Sequence, residues 1–148
     1  MRKNCLIITM IIAFAIIATG TVFAQTSDIK VSVDGKLINF TDSKPLIKEN
    51  RVWIPVRIVS ESLGATVTFD PYEQKEPTIK IEKGDRYAIM NVTANLIFTN
   101  DDFPIDMGVT PFIENNRTMV PIRFISEALL CKVEWDDVNK EVKISTQK

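Results

Sequence analysis

The chain has 148 residues, with 18 Lys and Arg against 19 Asp and Glu, two cysteines and no histidine. A net charge of −1 gives no electrostatic case for binding nucleic acid or an anionic membrane. Without imidazole, serine–histidine and cysteine–histidine catalysis are excluded, and the ligand that copper(II) favours is missing.

The first 24 residues read as a secretory signal peptide. Arg2 and Lys3 give a positive start, Cys5 to Ala18 is apolar apart from Thr9, and Val22 and Ala24 occupy the small-residue positions of a cleavage site after Ala24. The alternative is an uncleaved membrane anchor, since Leu6 to Ala24 approaches the ~20 residues that span a bilayer. Cleavage leaves Gln25–Lys148, 124 residues with 16 basic against 19 acidic side chains and a net charge of −3. That length suffices for one domain with its own core. Only Cys131 survives cleavage, so no internal disulfide forms, and this cysteine reads as a small buried residue.

Downstream, "VSVDGKLINF" alternates around Asp34-Gly35, a hairpin signal. "KEN" and "ENN" are turns leading into the short strands "RVWI" and "RTMV". Pro55 and Pro121 follow and suit the first turn of a helix. Val56, Val59 and Leu63 then share one helical face, as do Ile122, Ile125 and Leu129. Gly64 is a helix stop. "ATVTFD" with "TIKIE", and "CKVEWD" with "EVKIS", read as strand pairs around polar turns. Helices this short hold only when packed.

An internal repeat organises these elements. Residues 50–70 and 116–136 align without a gap, and nine of the 21 positions are identical. Arg51, Pro55, Arg57, Glu61 and Asp70 match Arg117, Pro121, Arg123, Glu127 and Asp136. Phe69 matches Trp135, and upstream Pro45 and Ile47 match Pro111 and Ile113. The halves are about 28–84 and 85–148. The expected fold is α+β: two ββαββ-like repeats of antiparallel strands packed around two short helices, in one compact domain.

"NRVWIPVRIVSESL" and "NRTMVPIRFISEAL", each followed by V-x-[FW]-D, resemble the repeat of the bacterial stalk domain, also called the copper amine oxidase N-terminal domain. The resemblance covers about residues 29–146. It implies a small exported α+β module of Gram-positive and related bacteria, alone or attached to other secreted domains and apart from any catalytic centre. It implies no general activity. Leu130 and Cys131 depart from the family's usual Gly-Ala, so the second helix is expected to end in a strained left-handed turn or in some other way. Trp53 replaces a smaller residue.

Several groups invite chemistry. Glu61 with Asp70, or Glu127 with Asp136, could form acid–base pairs, but an arginine four residues before each glutamate points to an ordinary ion pair instead. The expected role of Arg57 and Arg123 is therefore to brace a corner, with Asp70 and Asp136 as third partners. "NDDFPID" and Asp136-Asp137 read as solvated turns, since Pro104 breaks the alternation calcium needs. Trp135 alternates with charges on a strand and is expected in the core, whereas Tyr72, in a polar loop, is the candidate surface contact. No cofactor and no copper are expected. The functional expectation is a non-enzymatic module that binds or scaffolds an unknown protein or wall partner outside the cell. The alternatives are an inhibitor or regulator of a secreted enzyme and a carboxylate hydrolase.

Overall fold

Three two-residue turns set the strand pairs. Asp34-Gly35, Glu49-Asn50 and Asn115-Asn116 all take positive φ at both positions, between 47° and 79°. That is the primed turn whose twist matches a hairpin. They join β1 (Lys30–Val33) to β2 (Lys36–Leu37), β3 (Leu46–Lys48) to β4 (Arg51–Pro55), and β10 (Phe112–Glu114) to β11 (Arg117–Pro121). The computed structural model describes residues 28–71, 76–101 and 103–146. The signal-peptide reading and Tyr72 lie outside the described residues. No helix among the described residues is long and apolar enough to cross a membrane.

After β4 comes helix α1 (Val56–Ser62), then β5 (Thr66–Asp70) and β6 (Thr78–Lys83). After β11 the same order returns, with α2 (Ile122–Ala128), β12 (Cys131–Asp136) and β13 (Glu141–Thr146). Between them run β7 (Arg86–Asn91), β8 (Leu96–Thr99) and β9 (Ile105–Asp106). Both prolines stand one residue earlier than expected. Pro55 and Pro121 close their strands and cap the helices from outside, with φ near −65° and extended ψ. Extended ψ lets each proline end a ladder and start a helix at once.

The strands form three sheets, β10-β11-β4-β3, β12-β13-β1-β2 and β5-β6-β7-β8-β9. In the first, β4 and β11 pair antiparallel with Trp53 opposite Pro121, Ile54 opposite Val120 and Pro55 opposite Met119. Ile54 and Val120 are aligned positions of the two stretches, so the register is that of a local two-fold axis between them. The other two sheets exchange hairpins. β7 and β8 extend the sheet begun by β5 and β6, while β1 and β2 extend the sheet of β12 and β13. The turn at Gly84-Asp85 joins β6 to β7 inside one sheet, so the boundary at 84/85 is not a gap between bodies.

One pairing departs from the antiparallel expectation: β1 runs parallel to β13, from Lys30 opposite Glu141 to Val33 opposite Ile144. Adjacent strands joined by a tight turn must be antiparallel, but β1 and β13 are separated by the whole domain and are free of that constraint. Val31, Val33, Val142 and Ile144 from this sheet, Ile54 and Val120 from the central one, and Ile79, Ile81, Met90 and Ile97 from the third meet Val59 and Ile125 of the helices in one core.

Both helices end alike. Gly64 N–H donates to the Glu61 carbonyl at 2.9 Å, and Leu130 N–H donates to the Glu127 carbonyl at 3.0 Å. Gly64 has φ 80° and Leu130 has φ 54°, so the second helix uses the left-handed turn despite its side chain. Leu130 is 55% exposed and has little packing to lose. Left-handed backbone costs a residue with a Cβ ~1–2 kcal/mol, and the extra freedom of glycine in the unfolded chain returns ~0.4–1 kcal/mol of that. Leu130→Gly is expected to stabilise the fold by several tenths of a kcal/mol to ~1 kcal/mol. A urea midpoint that rises at unchanged m-value would show it, and a midpoint that falls would refute it.

Candidate functional site

The paired motif residues fall into two groups. The first arginine of each motif sits at a hairpin start and reaches into the other half. Arg117 forms an ion pair with Asp42, Ser43 Oγ donates to the Glu114 carbonyl at 3.0 Å, and Asn115 Nδ2 donates to the Asp42 carbonyl at 3.4 Å. Loop 41–43 is thereby fastened to the β10–β11 hairpin. The Arg117 hydrogen bond, helped by its charge, holds the Asp42 carboxyl below the usual carboxylate range. Asp42 aligns with Gly108, and there Arg51 approaches in the same way. A Cβ on Gly108 would lie 3.5 Å from Arg51 Nη2.

The second arginines behave differently from the expected brace. Arg57 Nη1 stands 3.9 Å from Glu61 Oε1, with both side chains about half exposed. Arg123 and Glu127 are exposed and form no ion pair among the described residues. Each faces outward on its own two-turn helix, where exposure leaves its charge open to solvent. Asp136 is not a third partner either. It accepts from Lys143 Nζ at 2.7 Å, from Asn139 Nδ2 at 2.9 Å and from the backbone N–H of Val138 and Asn139. These bonds, with Lys143 first, hold its carboxyl far below the usual range. It is a turn cap, as expected for Asp136-Asp137.

Two buried-residue expectations are corrected. Trp135 is 41% exposed, because among the described residues β12 is an edge strand paired only with β13. Its Nε1 donates to Asp137 Oδ1 at 3.3 Å and holds the ring at the surface. Cys131, at the start of the same strand, is half-buried, and that partial burial pushes its thiol up. Trp53, by contrast, is buried. Its Nε1 donates to the Lys48 carbonyl at 3.0 Å, and its ring lies 4.9 Å from that of Phe112.

The concave site lies where the halves meet. Val56 and Arg57 of α1, Val67 and Phe69 of β5 and Ile79 of β6 face Ile113, Asn116, Arg117 and Thr118 across a groove of about 500 Å³. Val67 and Ile79 are buried and form the floor. Phe69 is 43% exposed and Ile113 63% exposed. Among the described residues the lining includes two arginines and no carboxylate. Phe69 and Ile113 were missed as a site because strand alternation sends residues of their kind to a core. The alignment held the clue, because Phe69 pairs with Trp135 and Ile113 with Ile47, and all four are exposed. Internal likeness at exposed apolar positions, identical at Ile47 and Ile113 and aromatic at Phe69 and Trp135, is not explained by core packing.

Among the described residues no three His, Cys, Asp or Glu side chains are grouped to hold a metal. With no histidine and one half-buried thiol, the donors present do not fit copper(II).

The acidic groups set the response to pH. Asp42, Glu134, Asp136 and Asp137 are all depressed, each first by a hydrogen bond from a basic partner: Arg117, Lys132, Lys143 and Lys140 respectively. A depressed carboxylate adds stability that is complete above its unfolded pKa and is lost as pH falls through its folded one. Lys132 and Lys143 are raised, so their share is complete below the unfolded lysine value and is lost at higher pH. With no histidine to titrate in between, the melting temperature is expected to be flat from pH 6 to 8 and to fall below about pH 4. A slope across pH 6–8 in scanning calorimetry would contradict this.

The fold defines a small α+β domain of mostly antiparallel sheets with a groove between its halves. The chain belongs to the copper amine oxidase N-terminal domain family, which matches residues 32–144. In copper amine oxidases this is the non-catalytic N-terminal module. Neither a curated protein nor a solved structure matches the chain.

Proposed function

We propose that the protein is an exported, non-enzymatic module that binds a partner through the groove between its halves. The carrying observation is the lining: an apolar floor, two exposed apolar walls and two arginines, with no carboxylate among the described residues. Such a site supplies binding energy and orientation but no acid–base pair. The non-catalytic family supports the same reading.

Export rests on the basic start, apolar run and Val22-x-Ala24 exit. Mass spectrometry of the native protein is expected to find Gln25 as the first residue, and an intact Met1 end in a membrane fraction would favour the anchor. Binding is tested by immobilising the full chain and its Phe69→Ser, Ile113→Ser double variant, then passing over wall fragments and secreted proteins from the native culture. The expected result is a partner retained by the first and lost from the second. Turnover of a glycan or peptide substrate that disappears in Glu61→Gln would overturn the reading in favour of a hydrolase.

A further inference from the structure

Among the described residues, the groove is bounded by two unpaired sheet edges. β5 ends the five-stranded sheet, and β10 ends the central sheet. A strand at a sheet edge presents unpaired backbone donors and acceptors to whatever lies beside it. Natural edges are usually blunted with charge or proline, yet β5 reads Thr-Val-Thr-Phe before Asp70 and has neither until its end.

The aligned edge shows the contrast. β12 ends its own sheet, and at the positions of Thr66 and Thr68 it carries Lys132 and Glu134, whose side chains form an exposed ion pair. The two halves therefore share exposed apolar residues, but only the first has left its strand edge without charge.

We infer that the groove takes an extended, acidic segment of a partner protein, which adds as a strand to the edge of β5. This deepens the binding reading proposed above and rests on it. A strand laid between β5 and β10 places alternate side chains toward Val67, Phe69 and Ile113. Its acidic residues meet Arg57 on a wall that, among the described residues, carries no carboxylate, while Arg117 stays paired with Asp42 and adds only its positive field. Arg57 is available because its contact with Glu61 is long and solvated.

The test uses the full chain and a defined probe, an eight-residue peptide alternating valine and glutamate, with a valine–lysine peptide as control. Titration calorimetry is expected to show one site per chain and at least about tenfold weaker binding of the lysine peptide. Phe69→Ser with Ile113→Ser should abolish binding, while Trp135→Ser with Ile47→Ser should leave it unchanged. Both are surface changes, and an unchanged melting temperature verifies folding. Thr66→Lys with Thr68→Glu, which grafts the blunted edge onto β5, should also abolish it. The ¹³C-carbonyl amide band of a labelled peptide should move to the position of a bonded strand. Binding with an unmoved band, equal binding of the lysine peptide, or displacement by a neutral glycan would each overturn the proposal. So would a dimer of this chain that Phe69→Ser dissolves. If capture of a culture partner depends on Phe69 and Ile113 but the valine–glutamate peptide neither binds nor competes, this inference falls and the binding reading stands.

Discussion

Truncation after Lys140, which removes β13, is expected to unfold both halves of the chain together. β13 is paired on both sides, antiparallel to β12 and parallel to β1. Among the described residues it is the only strand partner of β12, and apart from it β1 keeps only two-residue β2. Val142 and Ile144 are each 1% exposed and sit in the common core. Burying two such side chains contributes ~1.5–3 kcal/mol each, before the lost ladders are counted. Against a typical total of ~5–15 kcal/mol, the loss of a whole sheet leaves no margin. The effect reaches the first half because β1 and β2, which belong to it, are held on the second half's sheet. β7 and β8 are held in return on the first half's sheet. The truncated chain should show no cooperative thermal transition. Protected amides confined to β5–β8 in hydrogen exchange would show instead that one half folds alone.

That exchange was only partly legible in the sequence. Asp34-Gly35, the two asparagine turns and the Pro-bounded helices announce themselves locally, because turn chemistry and helix starts act within a few residues. The repeat implies two equivalent corners, and the pairing of Ile54 with Val120 is where they meet. No local pattern says that β1 will pair with a strand 111 positions later in a parallel sense. Exposure at the groove was hidden for a related reason. Phe69 and Trp135 alternate as buried residues should, and only their position at sheet edges leaves them in water. Of the expected arginine pairs only Arg57 with Glu61 is formed, at 3.9 Å and half exposed, because sequence spacing shows that two side chains can meet but not whether water competes.

Arg86→Met is expected to cost more stability than any change at the arginines that the repeat singles out. Arg86 lies on β7, has no role in the motif, and its side chain is only a fifth exposed. Its Nε donates to the Ala128 carbonyl at 3.2 Å, at the end of α2, and its Nη2 stands 3.5 Å from Asp101 Oδ2. It therefore supplies a cation to the negative end of a helix and ties β7 to that helix. Asp101 is itself fixed, since Thr99 Oγ1 donates to it at 3.0 Å. Hydrogen bonds from charged groups contribute ~1.5–3 kcal/mol, and the partly buried setting protects this one from screening. The expected loss for Arg86→Met is ~1–3 kcal/mol, because methionine keeps the apolar stem and removes only the fork. Arg57→Met should cost less than ~0.5 kcal/mol, the worth of an exposed pair four residues apart on a helix. Denaturation of the two variants side by side decides the matter. If Arg57→Met unfolds the chain more readily than Arg86→Met, the repeated arginines are braces after all. If the order is as expected, stability does not explain why Arg57 recurs as Arg123, and only Arg57 has a place on the groove wall.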